Sequence, residues 1–394
     1  MSTIFAPTNQ DSFTTNGEVK TITTVGLAYS NVGTPALTSD DHTGLTLINF
    51  GGIVNSGGGI GLVFTTDSTG SIFNELGGYI SGAIGVYLSG TGVSLTNFGS
   101  ISGYGASEGV GIGLSSGSQD NHIDNRGTIF GEHYGIRDQS NSGGNEIVNY
   151  GSIEGGDAAI NIFTAPGKVT EITNYGTLSS GTFKAIDNHQ TGAVHLVNYG
   201  TIDGDVSLES IEVLDVDYIF NYGTIDGLVQ LGAGDDQFDG SKGAAVKVFG
   251  ENGKDFLMGG QGMDLLSGGS GADRIVGKGG SDTLFGGAAN DRFVFDSALK
   301  FAGVDTIDDF EHGVDKIELA HSIFAKTAAN AADMLKGFMF FAGAAAHDAD
   351  DRIIYNPNSG WLTYDKNGSA AGGAVHFATL DAHLTVTAAD FLIG

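Results

Sequence analysis

Between residues 259 and 291 an aspartate recurs at every ninth position: Asp264, Asp273, Asp282 and Asp291, in GGQGMDLLSGGSGADRIVGKGGSDTLFGGAAND. Carboxylates at a fixed interval on a glycine-rich backbone suit the ligation of a hard cation, which takes six to eight oxygens at roughly 2.3–2.6 Å. Glycine lets the backbone bend so that carbonyl oxygens join the carboxylates. Two residues after each aspartate stands an apolar side chain, such as Leu266, Ile275, Leu284 and Phe293. Each row therefore reads as a ligand-bearing turn followed by a short strand whose apolar residue faces a core.

The whole chain favours a cationic partner. Acidic residues outnumber basic ones 46 to 17, a formal net charge of −29 over 394 residues. That field repels phosphate backbones and anionic membranes, so no nucleic acid is expected as a partner. The 66 glycines come with only 4 prolines and with 40% hydrophobic residues, which fits neither collagen nor disorder. It fits many tight turns joining short strands. With no cysteine, disulfides and thiolate sites are excluded, and the compartment is left open. No run of 18 apolar residues marks a transmembrane segment. The opening MSTIFAPTNQDSFTTNGEVK has neither the basic nor the apolar region of a conventional signal peptide.

The nonapeptide rows are LGAGDDQFD from Leu231, GENGKDFLM from Gly250, GGQGMDLLS, GGSGADRIV, GKGGSDTLF and GGAANDRFV. A degenerate row, GSKGAAVKV, fills 240–248, with Ala245 in the expected aspartate position and Phe249 as one extra residue before Asp255. The pattern G-G-x-G-x-D-x-U-x resembles the hemolysin-type calcium-binding repeat of secreted bacterial RTX proteins. The resemblance implies a parallel β-roll with two nonapeptides per turn and calcium ions between like loops one turn apart. It pairs Asp236 with Asp255, Asp255 with Asp273, Asp264 with Asp282, and Asp273 with Asp291. It adds the turn glycines Gly250, Gly253, Gly260, Gly262, Gly269, Gly271 and Gly280 to the metal-site set. Ala245 is expected to weaken any site it shares. Without calcium the stacked carboxylates repel one another, and with it metal binding becomes folding free energy.

A second repeat occupies roughly 40–227. It reads LINFGGI, LTNFGSISG, IDNRGTIFG, IVNYGSIEG, ITNYGTLSSG, LVNYGTIDG and IFNYGTIDG, with a poorer copy IFNELGGYISG. The asparagines Asn49, Asn74, Asn97, Asn125, Asn149, Asn174, Asn198 and Asn221 lie 23 to 28 residues apart, a period that signals a solenoid. Three short strands per unit fit a parallel β-helix. Asparagines stacked at one corner would pass amide hydrogen bonds along the axis, and the glycine two residues later takes the turn. Phe98, Tyr150, Tyr175, Tyr199 and Tyr222 would form an outer stack. The 28-residue unit before Asn125 implies a longer loop near GLSSGSQDNH.

Beyond residue 296 the period ends. GVDTIDDFEHGVDKIEL resembles the segment that closes RTX β-rolls, and it makes Asp305 and Asp309 further candidate ligands. RIIYNPNSGWLTYDKNGSAAGGAVHFATL reads as paired hairpins. The ending LTVTAADFLIG resembles an uncleaved type I secretion signal. The expected fold is all-β: a right-handed parallel β-helix, or β-solenoid, continuing into an RTX calcium β-roll with a C-terminal β-rich cap. Residues 1–39 form the N-terminal cap and first strands, 40–229 the β-helix, 230–296 the β-roll, and 297–394 the cap and secretion signal.

Catalytic signatures are weak. Parallel β-helices joined to RTX modules occur in alginate epimerases and polysaccharide lyases. EHYGIRDQS, with Glu132, His133, Tyr134, Arg137 and Asp138, superficially resembles the epimerase motif but lacks its proline and histidine after the aspartate. No His-Glu-x-x-His or Gly-x-Ser-x-Gly is present. The expectation is a secreted, non-enzymatic, calcium-dependent structural or adhesive protein that forms a homo-oligomer or head-to-tail filament, with a cell-surface glycan as a further partner class. The alternative is a polysaccharide-active or polysaccharide-binding β-helix.

Overall fold

The structure is a computed structural model, and it describes residues 2–4, 8–9, 11–13, 15–23, 26–140, 143–188, 192–210, 215–300 and 302–394. It is all-β, built from short strands with two 3-10 turns near the C-terminal end. The chain divides into two compact units, residues 1–219 with 223–228, and residues 220–222 with 229–394.

The first unit is a parallel β-solenoid with three strands per coil. One face stacks Leu45–Asn49, Gly70–Asn74, Val93–Asn97, His122–Asn125, Glu146–Asn149, Val169–Asn174 and Ala193–Asn198, with asparagine over asparagine at every step. Alternation in each strand sends one apolar residue inward. Leu47, Ile72, Leu95, Ile123, Ile147, Ile172 and Leu196 are all buried, forming an aliphatic column. Two further columns, Ile53 to Ile202 and Leu62 to Ile186, line the other faces. At the corner, Asn49 Nδ2 donates to Asn74 Oδ1 at 2.7 Å, and the chain of amides runs through Asn97, Asn125, Asn149 and Asn174 to Asn198 at 2.7–2.8 Å. Each buried amide thus meets its neighbour's need where water does not reach.

The expected outer stack forms through Tyr150, Tyr175 and Tyr199, with centroids 4.7 and 4.9 Å apart and planes within 4°. Where the repeat carries Arg126 instead of an aromatic, its guanidinium bridges Phe98 and Tyr150, at 5.8 and 4.7 Å from their centroids.

One expectation is corrected. The extra residues of the 28-residue unit lie mainly at 104–109, because Gly103 pairs with Gly131 and Val110 with Tyr134. The Asn-x-Gly signal marks one corner only, so it dates the insertion to a coil without locating it. The strand Val19–Ile22 is interior: it pairs with Ser2–Ile4 on one side and with Leu45–Asn49 on the other.

The second unit has two strands per turn. Gln237–Asp239, Phe256–Met258, Arg274–Val276, Arg292–Phe295, Lys316–Leu319 and Phe391–Ile393 stack in parallel on one side. Lys247–Asn252, Leu265–Ser270, Thr283–Ala288, Asp305–Ile307 and Ala374–Thr379 stack on the other. Phe238, Leu257, Ile275, Phe293 and Ile317 face Val248, Leu266, Leu284 and Ile307 across a thin, fully buried core. The strands Ile353–Tyr355, Trp361–Asp365 and Ala374–Thr379 form the antiparallel hairpins expected from the turn residues. The chain's last strand is anchored by buried Asp390, which accepts from His312 Nδ1 at 2.8 Å and from the Gly313 and Thr387 N–H groups.

Candidate metal centre

Each row of the β-roll delivers its aspartate at the point where the turn enters the strand. There its backbone N–H points along the axis toward the next coil. The N–H of Asp236 donates to Oδ1 of Asp255 at 2.9 Å, that of Asp255 to Asp273 at 2.8 Å, that of Asp273 to Asp291 at 2.9 Å, and that of Asp291 to Asp315 at 3.0 Å. On the other side Val246 N–H donates to Asp264 at 2.8 Å, Asp264 to Asp282 at 2.9 Å, and Asp282 to Asp305 at 3.1 Å. Two ladders of carboxylates result, one on each edge of the roll.

One oxygen of each carboxylate is thereby satisfied, and most of the others are not. Oδ2 of Asp255, Asp273, Asp282 and Asp291 is buried and has no hydrogen-bond partner. The exceptions on the ladders are Asp264 and Asp315, whose Oδ2 atoms accept from Gly260 and Glu311 N–H groups at 2.6 and 2.8 Å. The lone oxygens occupy the space a side chain would fill at the first residue of the row. A Cβ on Gly250, Gly268, Gly277 or Gly286 would lie 2.2–2.5 Å from the carboxylate oxygen of its own row. Carbonyls press in from the coil before. A Cβ on Gly253, Gly271 or Gly280 would lie 1.5–1.8 Å from the carbonyl oxygen of Gly234, Gly253 or Gly262, and all three glycines hold φ between +134° and +141°. The glycines are therefore required because carboxylate and carbonyl oxygens converge on the same narrow space.

Electrostatics make the arrangement costly as it stands. Burial pushes Asp255 up to about 8, Asp273 to about 6 and Asp291 to about 7, and nearby charges add to the shift: Asp236 and Asp273 at Asp255, Asp235 at Asp273, and Asp273 and Asp315 at Asp291. Burial also raises Asp264 and Asp315, and it raises Asp282 and Asp305, with the charge of Asp264 adding at Asp282 and the charges of Asp282 and Asp264 adding at Asp305. A buried anionic oxygen with no donor costs several kcal/mol or takes up a proton. A hard cation removes that cost. All donors here are oxygens, from carboxylates and glycine-turn carbonyls, which is the donor set of calcium rather than of a thiolate- or imidazole-seeking metal. The residues fit the ion.

The structure brings together the pairs Asp236–Asp255, Asp255–Asp273, Asp264–Asp282 and Asp273–Asp291, and sets Asp305 above Asp282. Gly260, Gly262 and Gly269 lie in the turns of the same rows, with Gly269 at φ +112° against the Glu251 carbonyl. The oxygens of Asp309 accept from the Gly286 and Gly287 N–H groups at 2.9 and 2.8 Å, just as both oxygens of Asp264 accept from N–H groups. In the degenerate row Val246, not Ala245, holds the aspartate position, and Phe249 is in register opposite Ser267. The extra residue lies earlier, between Asp239, paired with Met258, and Val246. Sequence reading missed Asp315. Its signal was present as Asp315-Lys316-Ile317, an aspartate followed two residues later by a core apolar residue, but an inserted turn moves it 24 residues beyond Asp291.

The residues considered for catalysis do not gather. Arg137 and Asp138 are neighbours on a strand and point to opposite faces. Asp138 is fully buried and accepts from Ser140 and Asn145, whereas Arg137 lies between the rings of Tyr134 and Phe163. His133 pairs with Asp157 at 2.7 Å, which raises its pKa, and Glu132 caps the Gly105 N–H.

A solenoid whose stacked turns carry carboxylate ladders defines a class of repeat proteins built around hard cations. The comparison with known families agrees: residues 232–266, 249–284 and 267–297 match the RTX calcium-binding nonapeptide repeat in four copies. Residues 232–297 thus carry RTX calcium-binding repeats, in a chain whose first unit is a parallel β-solenoid. No curated protein matches it.

Proposed function

We propose that the protein is a secreted, calcium-dependent structural or adhesive protein of the extracellular space, without enzymatic activity, exported by the type I route. The observation that carries this reading is the set of buried carboxylate oxygens on Asp255, Asp273, Asp282 and Asp291 that no protein donor serves. Calcium bound between like turns would complete the fold of the β-roll, and extracellular calcium is abundant enough to saturate sites with Kd of roughly 0.1–1 mM. The repeat class is typical of secreted proteins, and the acidic charge agrees with an ion-rich exterior.

Assembly belongs to the same reading. Among the described residues Ser2–Ile4 lies at the edge of its sheet. An edge strand offers unpaired N–H and C=O groups to another chain, and head-to-tail addition need not close. Bound cations lower the repulsion between chains of charge −29. The test is electron microscopy with light scattering, in calcium and in chelator. Calcium-dependent polymers that vanish on deletion of residues 2–12 support the reading. A chain that stays monomeric in several millimolar calcium removes self-assembly from it.

A further inference from the structure

The cap carries a second site whose chemistry has nothing to do with the ladders. In the hairpin strand Trp361–Asp365, alternation puts Leu362 and Tyr364 on the inner face, where Tyr364 packs edge-on against Phe324 at 5.1 Å. The same alternation sends Trp361, Thr363 and Asp365 to the other face, at intervals of about 7 Å. Across the sheet Thr363 is opposite His376, and Asp365 is opposite Ala374. These side chains, with Ile354 and the Ala344–Ala346 segment, line a half-open cavity of about 280 Å³.

Its walls are unlike a solvated sheet face. The Trp361 ring is 51% exposed, yet its plane is fixed, because it stacks on His376 with centroids 4.6 Å apart and 23° between planes. His376 in turn is held through Nε2 by the Ala378 carbonyl at 2.9 Å and the Thr379 hydroxyl at 3.1 Å. A rigid, half-exposed indole is a pre-organised platform that loses little entropy when a flat apolar surface settles on it. Beside it stand the Thr363 hydroxyl, which can donate or accept, and the largely buried Asp365 carboxylate, which accepts, its Oδ1 already from the Asn367 N–H at 3.1 Å. A pyranose ring has this two-sided character, with C–H groups on its faces and hydroxyls around its edge. The size suits one or two rings, since drug-sized ligands take roughly 300–1,000 Å³.

Charge narrows the class. No lysine or arginine lines the cavity, and Asp365 repels an anion. Burial holds His376 below the usual imidazole range, so at neutral pH it is uncharged and offers no compensation. We infer that this cavity binds an uncharged pyranose, with Trp361 as the stacking platform and Thr363 and Asp365 as hydrogen-bonding partners of the ring hydroxyls. The inference goes beyond the calcium reading. None of the lining residues belongs to a ladder, so either can fail while the other stands.

Trp361 is the only tryptophan of the chain, so intrinsic tryptophan emission reports this site alone. The experiment titrates the full chain in calcium with methyl α-glucopyranoside, methyl α-mannopyranoside and methyl β-galactopyranoside, with sodium glucuronate and N-acetyl-tyrosinamide as controls. The expected result is a saturable emission change with at least one neutral glycoside. Glucuronate is expected to bind about tenfold more weakly, as are Asp365→Ala and Thr363→Val, whose ligand-free spectra match the parent. No change with any neutral glycoside overturns the assignment, as does an equal response to glucuronate. So does wild-type affinity in both variants, or a response to the tyrosinamide alone, which would give the cavity to a peptide side chain.

Discussion

The backbone N–H of Asp255 donates to Oδ1 of Asp273 at 2.8 Å, while Oδ2 of Asp273 lies buried with no partner. The two oxygens of one side chain thus face opposite requirements. One stitches successive coils together through the backbone, and the other waits for a positive charge. Structure and ion ligation would share a residue, so the proposed function couples calcium to folding.

Asp273→Asn separates the two roles. The amide keeps an Oδ1 acceptor for Asp255 but loses the charge. In calcium the variant is less stable than the parent by roughly 2.7 kcal/mol for each site lost, at a hundredfold excess of ion over Kd. In chelator it is more stable, because a repelling carboxylate is gone. Replacing Asp236, at the end of its ladder, costs less in calcium than replacing Asp273. Thermal melts in the two buffers check both signs.

The pH response of the calcium-free protein follows from the raised carboxylates. Asp255, Asp273 and Asp291 titrate at about 8, 6 and 7 when folded, against about 3.9 when unfolded. A raised folded pKa means stability that is fully present below about pH 4 and is lost as pH climbs through 6 to 8. In chelator the roll melts at progressively lower temperature between pH 4.5 and 8.5. In excess calcium that decline is removed, since the ion binds the deprotonated form. A melting temperature that rises with pH in chelator contradicts the assignment.

The asparagine ladder gives a calcium-independent effect. Asn149→Ala strands the donor of Asn125 and the acceptor of Asn174, both buried. The cost is about 2–4 kcal/mol for two unsatisfied groups, and it has the same size in calcium and in chelator.

Much of this was legible in the sequence, and for stated reasons. Period, strand count per coil and the Asn corner follow from residue types that can occupy only one place in a stacked coil. The ladder pairs were implied by the resemblance to RTX repeats, in which two nine-residue rows close one turn. What escaped lay where spacing breaks. Asp315 sits past an inserted turn, Val246 takes the place assigned to Ala245, and residues 104–109 hold an insertion expected elsewhere. Glycines permit several loops of equal length, so composition alone cannot choose among them. The Trp361 cavity depends on hairpin register, which no periodicity encodes.

Glycine geometry makes a separate prediction. At Gly271 an added Cβ would sit 1.5 Å from the Gly253 carbonyl oxygen, with φ +141°, whereas at Gly167, φ +68°, nothing lies within 4 Å. Gly271→Ala should cost about 3–4 kcal/mol in calcium by forcing coils apart. Gly167→Ala should cost only the left-handed backbone penalty of roughly 1–2 kcal/mol. Denaturant titration of the two variants decides it.

Export supplies a further prediction. Deleting residues 379–394 removes the proposed signal together with the strand Phe391–Ile393 that covers Lys316–Leu319. Asp390→Ala loosens the same strand's anchor but leaves the segment in place. Under type I export the truncated chain stays in the producing cell while Asp390→Ala is secreted. Undiminished export of the truncated chain refutes the route.

The most direct measurement of the central claim is amide hydrogen exchange on the full chain, in calcium and in chelator. The amides of Asp255, Asp264, Asp273 and Asp282, each donated to a carboxylate of the next coil, should be protected only in calcium. The amides of the Asn-corner strands, such as those of Glu146–Asn149 and Val169–Asn174, should keep their protection in both. Equal protection of the four aspartate amides with and without calcium would contradict an ion-completed roll.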